Sequence, residues 1–209
     1  MDSETGWQVV RSQRLSLADM LDTLTEDEWE RPSLCAEWRV RDVVAHLVIG
    51  ANAPKLSSMF AAGVRAGFNP HHVGRDTAIR LAESAPDELV DRLRDHAGGR
   101  RLPVPVFTDY RDMVCDILVH GQDIAIPTGR DRPMPTDAAC LAATRVWTMG
   151  WPFWAKRKLR GLRLSATDAD WSVGEGELVE GPISALLLLV AGRRAALDRL
   201  DGATNLIAR

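Results

Sequence analysis

The chain has 209 residues, of which 45% are hydrophobic, and its net charge at pH 7 is −3. This length allows one large domain, or one domain with a small second unit, around a packed core. The acidic balance argues against nucleic-acid binding, and no apolar stretch reaches the length of about 20 residues that a membrane-spanning helix needs. Three widely spaced cysteines without a CxxC pair argue against a disulfide framework. We therefore expect a cytoplasmic protein without a signal peptide.

The first three quarters of the chain have the hydrophobic periodicity of four or five long helices. Thr25–Glu28 has the pattern of a capping box, which predicts a short helical turn. Pro54 and Pro86 are expected to kink or divide two of the longer helices. Long helices and short connections without strands are typical of a four-helix bundle, so the fold is predicted to be mainly α. The predicted helices span Trp7–Leu24, Val40–Met59, Asp76–His96, Phe107–Ile126 and a segment that Thr136 or Asp137 begins.

The pattern changes after the bundle. Apolar and polar residues alternate over residues 162–173, which predicts short antiparallel strands. The sequence Gly174-Glu-Gly176 is expected to form a hairpin turn rather than a phosphate-binding loop, because no helix follows it directly. A last helix is predicted over Ile183–Leu200, apolar enough in its first half to be buried. Residues 156–209 are therefore predicted to form a small α+β domain after a bundle of residues 1–155.

One helical stretch carries ionisable side chains along a single face. Asp116 and His120 are four residues apart and His120 and Asp123 are three apart, so all three lie on neighbouring turns. His46 lies in another predicted helix with apolar neighbours, and either histidine alone would be interpreted as a buried structural residue. Two packed helices can bring His46 to the Asp116/His120 pair, however, and two imidazoles with one carboxylate are a common ligand set for catalytic zinc. Other borderline divalent metals would fit the same ligands.

The remaining histidines and cysteines are expected to be structural. His71 and His72 lie in a polar loop, and His96 suits a helix C-terminus, where a cation is favourable. Cys115 points away from Asp116 around the helix and is expected in the core. Cys35 has no histidine nearby in the sequence, so no catalytic role is predicted for it.

Two further features are also interpreted as structural. The basic run Lys156–Arg160 is expected to be a solvated face or a contact between domains. Trp147, Trp151 and Trp154 could line an apolar pocket, but core packing is the preferred interpretation.

Two segments of the chain resemble the signatures of a known family, the mycothiol-dependent maleylpyruvate isomerase family of the DinB-like superfamily. The resemblance continues through Gly181-Pro182 and Gly192-Arg193 to Asp201-Gly202 and covers most of the chain. It implies a DinB-like four-helix bundle with a small α+β C-terminal domain. Arg39 and Gln122 depart from the family pattern, and neither is a proposed ligand. The matching segments are Cys35-Ala-Glu-Trp38-Arg-Val40-Arg-Asp42-Val-Val-Ala-His46-Leu, and Asp116-Ile-Leu-Val-His120-Gly-Gln-Asp123-Ile-Ala followed by Gly129-Arg130.

The resemblance implies a role for each candidate site residue. The family holds its metal with a histidine of the second helix and an acid/histidine pair of a later helix, positions that match His46, Asp116 and His120. The family enzyme has Glu where this chain has Asp116, which is shorter by about 1.5 Å, so the helices must approach more closely or the metal site is altered. Asp123 would orient His120 or hold the helix end. Arg193 is the implied catalytic residue, since a guanidinium suits an anionic group of the substrate.

The chemistry that the resemblance implies is that of a metal-activated thiol. A divalent metal, zinc in the first place, would bind mycothiol and lower the pKa of its thiol. The thiolate would attack a small electrophilic substrate, in an isomerase or an S-transferase. Expected partners are this substrate and the low-molecular-weight thiol, and the protein is expected to be a monomer or homodimer. Two alternatives remain: a metal-free DinB-like small-molecule binding protein, and an enzyme of specialised metabolism that uses the same pocket without a thiol, with Asp116 or Asp123 as acid or base.

Overall fold

The computed structural model describes residues 1–52, 77–102 and 108–202, and within these ranges the chain is mainly helical with a small four-stranded sheet. The helices are α1 (Ser3–Leu21), α2 (Glu26–Trp29), α3 (Val40–Ala51), α4 (Pro86–Asp95), α5 (Tyr110–Ala125), α6 (Thr136–Thr148), α7 (Ala155–Lys158) and α8 (Ile183–Val190). The strands are β1 (Gly161–Ala166), β2 (Ser172–Gly174), β3 (Gly176–Gly181) and β4 (Asp201–Gly202), with a short 3₁₀ turn at Leu197–Arg199.

The helix starts follow the capping chemistry of the sequence. The Asp2 carboxylate accepts a hydrogen bond from the Thr5 amide at the start of α1. The predicted capping box of Thr25 and Glu28 is confirmed at α2, where each side chain bonds the other residue's backbone amide. Pro86 begins α4 after a separate helical segment of residues 77–82, so it divides the predicted third helix as expected.

Several sequence predictions lie outside the described residues, in whole or in part, including the predicted helix starts at Asp76 and Phe107. Helix α3 is described as far as Ala51, and its predicted extension to Met59 and kink at Pro54 lie beyond that range. The loop with His71 and His72 also lies outside the described residues.

Helix α5 lies at the centre of the bundle and packs against α1, α3 and α6. Its Ile117, Leu118 and Ile124 are almost fully buried. Removing each such side chain from water contributes about 1.5–3 kcal/mol to the stability of the fold. Helix α6 presents a row of buried alanines, which lets α5 and α8 pack close to it on either side. One continuous apolar core therefore runs from the bundle into the C-terminal unit. The division at residues 155 and 156 stays a prediction, although the change from helix to sheet does begin at β1.

The antiparallel strands predicted over residues 162–173 are confirmed as β1 and β2, whereas the hairpin turn expected at Gly174-Glu-Gly176 is wrong. The strand order of the sheet is β2-β1-β3-β4, with β1 and β3 parallel and the outer pairs antiparallel. Gly174 and Gly176 carry the chain from one side of β1 to the other, both with positive φ. A Cβ at Gly174 would lie 2.3 Å from the Leu162 carbonyl oxygen, and one at Gly176 would lie 2.1 Å from that of Gly161. This close backbone approach, and not a hairpin, is the reason for the two glycines.

Two other predictions about the C-terminal half are wrong in part. Helix α8 ends at Val190 rather than Leu200, because Gly192 takes a positive φ that suits a helix C-terminus. Trp147 is buried as expected, but Trp151 and Trp154 are 60% and 42% exposed, so these two do not belong to the core.

Candidate metal centre

Helices α3 and α5 bring the predicted ligands together. His46 lies in the middle of α3, and the start of that helix is held by Asp42, which accepts from the Arg39 backbone amide and forms an ion pair with the Arg39 side chain. One turn after His46 stands Gly50, where a Cβ would lie 3.7 Å from Asp116 Oδ2. The two helices are therefore in van der Waals contact beside the Asp116 carboxylate.

His46, Asp116 and His120 form a compact triangle at this contact. Asp116 Oδ1 lies 3.2 Å from His46 Nε2 and 3.6 Å from His120 Nε2. The two imidazole rings have centroids 4.9 Å apart and meet edge to face. All three side chains are partly exposed, and one ligand atom from each lies within 4.8 Å of the other two. Two imidazole nitrogens and a carboxylate oxygen thus converge on one point that solvent can reach.

Charge in the triangle is arranged as a metal site requires. Burial disfavours the ionised form of Asp116, but His46 and His120 outweigh it and lower the pKa of that carboxyl to about 2. Burial likewise opposes the charged form of His46, and the neighbouring Asp116 carboxylate nevertheless raises the pKa of the imidazole. In the absence of metal, a proton on His46 bridges the pair, and it is this proton that a divalent cation would displace.

Asp123 occupies the opposite side of His120 and is fully buried. Its Oδ2 lies 2.8 Å from His120 Nδ1, and Arg193 donates to both of its oxygens at 3.0 and 2.7 Å. Burial opposes ionisation, but His120 and Arg193 together hold the pKa of Asp123 well below its usual range. Because an ionised carboxylate only accepts hydrogen bonds, Nδ1 of His120 donates to Asp123, and Nε2 is the ring nitrogen that is directed toward Asp116.

Cys35 is a member of this site that the sequence reasoning left out. Its Sγ lies 3.0 Å from Asp123 Oδ2, 3.6 Å from His120 Nδ1 and 3.4 Å from Arg193 Nη2. Burial and the adjacent carboxylate raise the pKa of this thiol to about 12, so it is a hydrogen-bond donor to Asp123 and not a thiolate. Its place in the matched segment before Trp38 and His46 was the one signal that could have indicated the contact. Cys115 is buried in the core as expected.

Two groups of possible metal ligands share His120, and their surroundings distinguish them. The first is His46, Asp116 and His120; the second is Cys35, His120 and Asp123. In the second group the guanidinium of Arg193 already touches both the sulfur and the carboxylate. A cation at that point would be repelled by Arg193, whereas the first group faces an open cavity. The first group is therefore the candidate metal centre.

The cavity in front of the metal centre has a volume of about 330 Å³. Asp116 and His120 contribute to its wall, and Arg193 enters from the C-terminal unit. Arg193 donates from Nε and Nη2 to Asp123 and Cys35, and from Nη1 to the Ala191 carbonyl. Within the described part of the chain, one N–H of Nη1 has no acceptor and could bind a ligand. The apolar lining residues, which the sequence could not assign, are Met113, Cys115, Val119, Met149 and Phe153.

Two other residues with ionisable side chains lie outside the candidate ligand set. Asp112 lines the far edge of the cavity, but both of its oxygens accept hydrogen bonds from Arg145. His96 forms the C-cap of α4 and lies 3.1 Å from the side-chain amide of Asn52, in agreement with a structural role. Among the described helices, none combines the length and apolar character needed to cross a membrane.

The fold and site together define a helix-bundle protein with a two-histidine, one-carboxylate centre facing a small-molecule cavity. The family model described as the mycothiol maleylpyruvate isomerase N-terminal domain matches residues 10–125, more than half of the chain, and the protein belongs to this family. No curated protein sequence matches the chain significantly.

Two solved structures share the fold. One is a crystal structure of the mycothiol-dependent maleylpyruvate isomerase, with a TM-score of 0.67 and 17% identity, covering 98% of this chain and 94% of the other. The second is a histidine-to-alanine variant of that enzyme, with the same TM-score and coverage and 16% identity. The likeness extends over the C-terminal unit as well as the bundle, so the fold expected from the resemblance is confirmed.

Proposed function

We propose that this protein is a metal-dependent enzyme that uses mycothiol to isomerise, or to conjugate by S-transfer, a small electrophilic molecule. The observation that carries the proposal is the convergence of His46, Asp116 and His120 on one point at the wall of a cavity. Membership of a family named for a mycothiol-using isomerase supports the choice of thiol and of reaction. The crystal structures with the same fold are titled as a mycothiol-dependent maleylpyruvate isomerase, which supports the same choice.

The three residues fit a divalent metal, zinc in the first place. The Nε2 atoms of His46 and His120 both face one oxygen of the ionised Asp116 carboxylate, and this donor set suits a divalent cation that replaces the proton between them. Three protein ligands that include two histidines leave a further position open, as in catalytic zinc sites. The metal, when bound, would lower the pKa of a coordinated thiol so that the thiolate is present at neutral pH.

The chain's other residues would hold this arrangement. Asp123 keeps the proton of His120 on Nδ1 and fixes the ring, and Arg193 and Cys35 keep Asp123 ionised and in place. The apolar wall, with Met149 and Phe153, would keep water from the reacting carbon. The remaining N–H of Arg193 is positioned to bind an anionic group of the substrate, which is the catalytic role proposed for it.

The reaction divides according to what happens after thiolate addition. In an isomerase, addition to one carbon of a conjugated double bond makes that bond single, rotation follows, and loss of the same thiolate restores the double bond. In an S-transferase, the thiolate displaces a leaving group and stays on the product. Both reactions require a reduced thiol, so the proposed location is the cytoplasm.

Cobalt substitution tests the proposal directly. Protein loaded with Co²⁺ should develop a sulfur-to-cobalt charge-transfer absorption when mycothiol is added, and His46→Ala, treated in the same way, should not. The zinc content of protein purified without chelator should approach one ion per chain. A protein that holds no metal, or a cobalt form whose spectrum mycothiol leaves unchanged, would contradict the proposal and favour the metal-free binding protein.

A further inference from the structure

Lys158 and Arg160, at the end of the basic run, border a second cavity, which lacks the three candidate metal ligands. This basic cavity lies between the end of α7, the start of β1 and the segment that follows α8, and its volume is about 470 Å³. The residues around it are Ala155, Lys158, Leu159, Arg160, Leu162, Leu189, Val190, Gly192, Arg193 and Arg194.

Positive charge is concentrated at the basic cavity. Lys158, Arg160, Arg193 and Arg194 all line it, and the described lining includes no acidic side chain. Lys158 and Arg160 form no ion pair with any described residue, whereas most other arginines of the bundle do. The whole chain has a net charge of −3, so this concentration is local. Arg193 already has a counter-ion in Asp123, so the charge that would attract an anion to this cavity comes mainly from Lys158 and Arg160.

The floor of the basic cavity is apolar. Leu159, Leu162 and Leu189 are each at most 8% exposed and lie beneath the charged rim. A concave site with an apolar floor and a few cations suits a small organic anion, whose carbon skeleton contacts the floor while its oxygens meet the charges. A site of this volume is too small for a nucleic acid, in keeping with the acidic balance of the chain.

Arg193 connects the two cavities, since it lines both the basic cavity and the cavity at the metal centre. We propose that the basic cavity binds the oxyanion end, a carboxylate or a phosphate, of the small organic molecule whose reactive carbon lies at the metal centre. Lys158 and Arg160 are the specificity-determining residues of this site. The link to a reaction rests on the proposed function, whereas the anion site itself rests on the charges and shape of the basic cavity.

Calorimetric titration with inorganic phosphate, and separately with succinate, tests the site. The variant K158Q/R160Q should weaken binding of the anion about 10-fold or more, because two charge-assisted contacts are lost. The matched control is K156Q/R163Q, which removes the same charge from two exposed residues that do not line the basic cavity. Its affinity should stay within about twofold of the unmodified protein. Unfolding temperatures of both variants, measured alongside, verify that each is folded.

Three results would overturn the anion site: neither anion binds the unmodified protein, both double variants lose affinity equally, or His46→Ala abolishes binding. The last result would place the anion on the metal centre instead. Preference for phosphate or for succinate identifies the oxyanion. Metal content measured on the same samples separates this test from that of the proposed function. A metal-free protein that still binds phosphate through Lys158 and Arg160 would contradict the proposed function and retain the site.

Discussion

His120 lies between two carboxylates, Asp116 and Asp123, which differ in their exposure and in their partners. On one side, the side chains of Asp116 and His46 are 26% and 35% exposed, and Asp116 lines a cavity. On the other, Asp123 is fully buried and bonded to a guanidinium and a thiol as well as to the ring. Both carboxylates lie on α5 at helical spacing from His120. The two carboxylates thus differ in the residues that face them from other elements, and this difference is the reason that Asp116 is the candidate ligand and Asp123 the candidate support.

Burial and ion pairing explain how the Asp123 and Asp116 carboxylates each stay ionised. Asp123 has a positive partner of its own in Arg193, so it needs no metal to remain ionised. Among the described residues, the ion-pair partners of Asp116 are two imidazoles, which could give up a proton to a metal, and Arg14 acts on Asp116 only through its charge. The variants below test this contrast, in order of decreasing expected effect on metal affinity.

Removing a ligand from the open side should have the largest effect. His46→Ala and His120→Ala each remove one of the three candidate ligands. Residues that only support a ligand typically change metal affinity by about 10–100-fold, and the loss of zinc affinity in these two variants should be larger than that. Competition with a chromogenic chelator measures the affinity. His96→Ala, a histidine at the end of α4, is the control and should bind zinc normally. Equal zinc affinity in all four proteins would show that the triangle is not a metal site.

Breaking the buried side should reduce both stability and metal affinity. Asp123→Asn leaves Arg193 buried without a counter-ion, so the free energy of unfolding should fall by about 3 kcal/mol. Zinc affinity should fall by about 10–100-fold, since His120 loses its charged hydrogen-bond acceptor. Denaturant unfolding of the metal-free protein and zinc competition measure the two effects.

Asp112→Asn is the matched control for the buried side, because Asp112 lies on the same helix and pairs with Arg145 in a similar way. This variant should lose some stability but keep its zinc affinity. If Asp112→Asn and Asp123→Asn bind zinc equally well, Asp123 has no role in orienting His120.

Replacing the guanidinium should have an intermediate effect. Arg193→Lys keeps the charge but loses the two-point contact with Asp123, and we expect a loss of about 1–2 kcal/mol in unfolding free energy. Zinc affinity should fall less than about 10-fold. A larger effect on zinc binding than that of Asp123→Asn would mean that Arg193 acts on the metal by a route other than Asp123.

The smallest effect is expected at Cys35. Cys35→Ser retains a donor to Asp123 and should change unfolding free energy by about 1 kcal/mol or less. In the unmodified protein, alkylation of the Cys35 thiol by iodoacetamide at pH 8 should be slow, because burial and Asp123 raise the pKa of this thiol to about 12. If Cys35 of the folded protein is alkylated at that pH as rapidly as in an unfolded sample, the assignment of Cys35 as a neutral hydrogen-bond donor is contradicted.

The helical part of the fold and its three candidate ligands could be predicted because they depend on spacing along one chain. Helical periodicity located α1, α3 and α5, and the i, i+4 and i, i+3 relations placed the ionisable residues of α5 on one face. The capping box at α2 and the break at Pro86 were predictable for the same reason, since each involves neighbouring residues only. Family resemblance then connected His46 to that face.

Spacing along the chain could not predict the strand arrangement or the length of the last helix. Strands β1 and β3 pair in parallel across the Gly174-Glu-Gly176 crossover, and alternation of apolar residues is the same for either strand direction. Helix α8 ends early because of the positive φ at Gly192, while the apolar pattern itself continues beyond it.

The amino-acid sequence by itself determined the bundle, the small C-terminal unit and the residue types that suit a divalent metal. Only the tertiary structure decided which carboxylate faces the cavity, because that depends on Arg193 and Cys35, which are 70 and 88 residues from Asp123 along the chain. The same holds for the basic cavity, where Arg193 and Arg194 meet Lys158 and Arg160 from a distant segment. Local patterns specify helices and faces, whereas the charges that meet across those faces are fixed when distant elements pack.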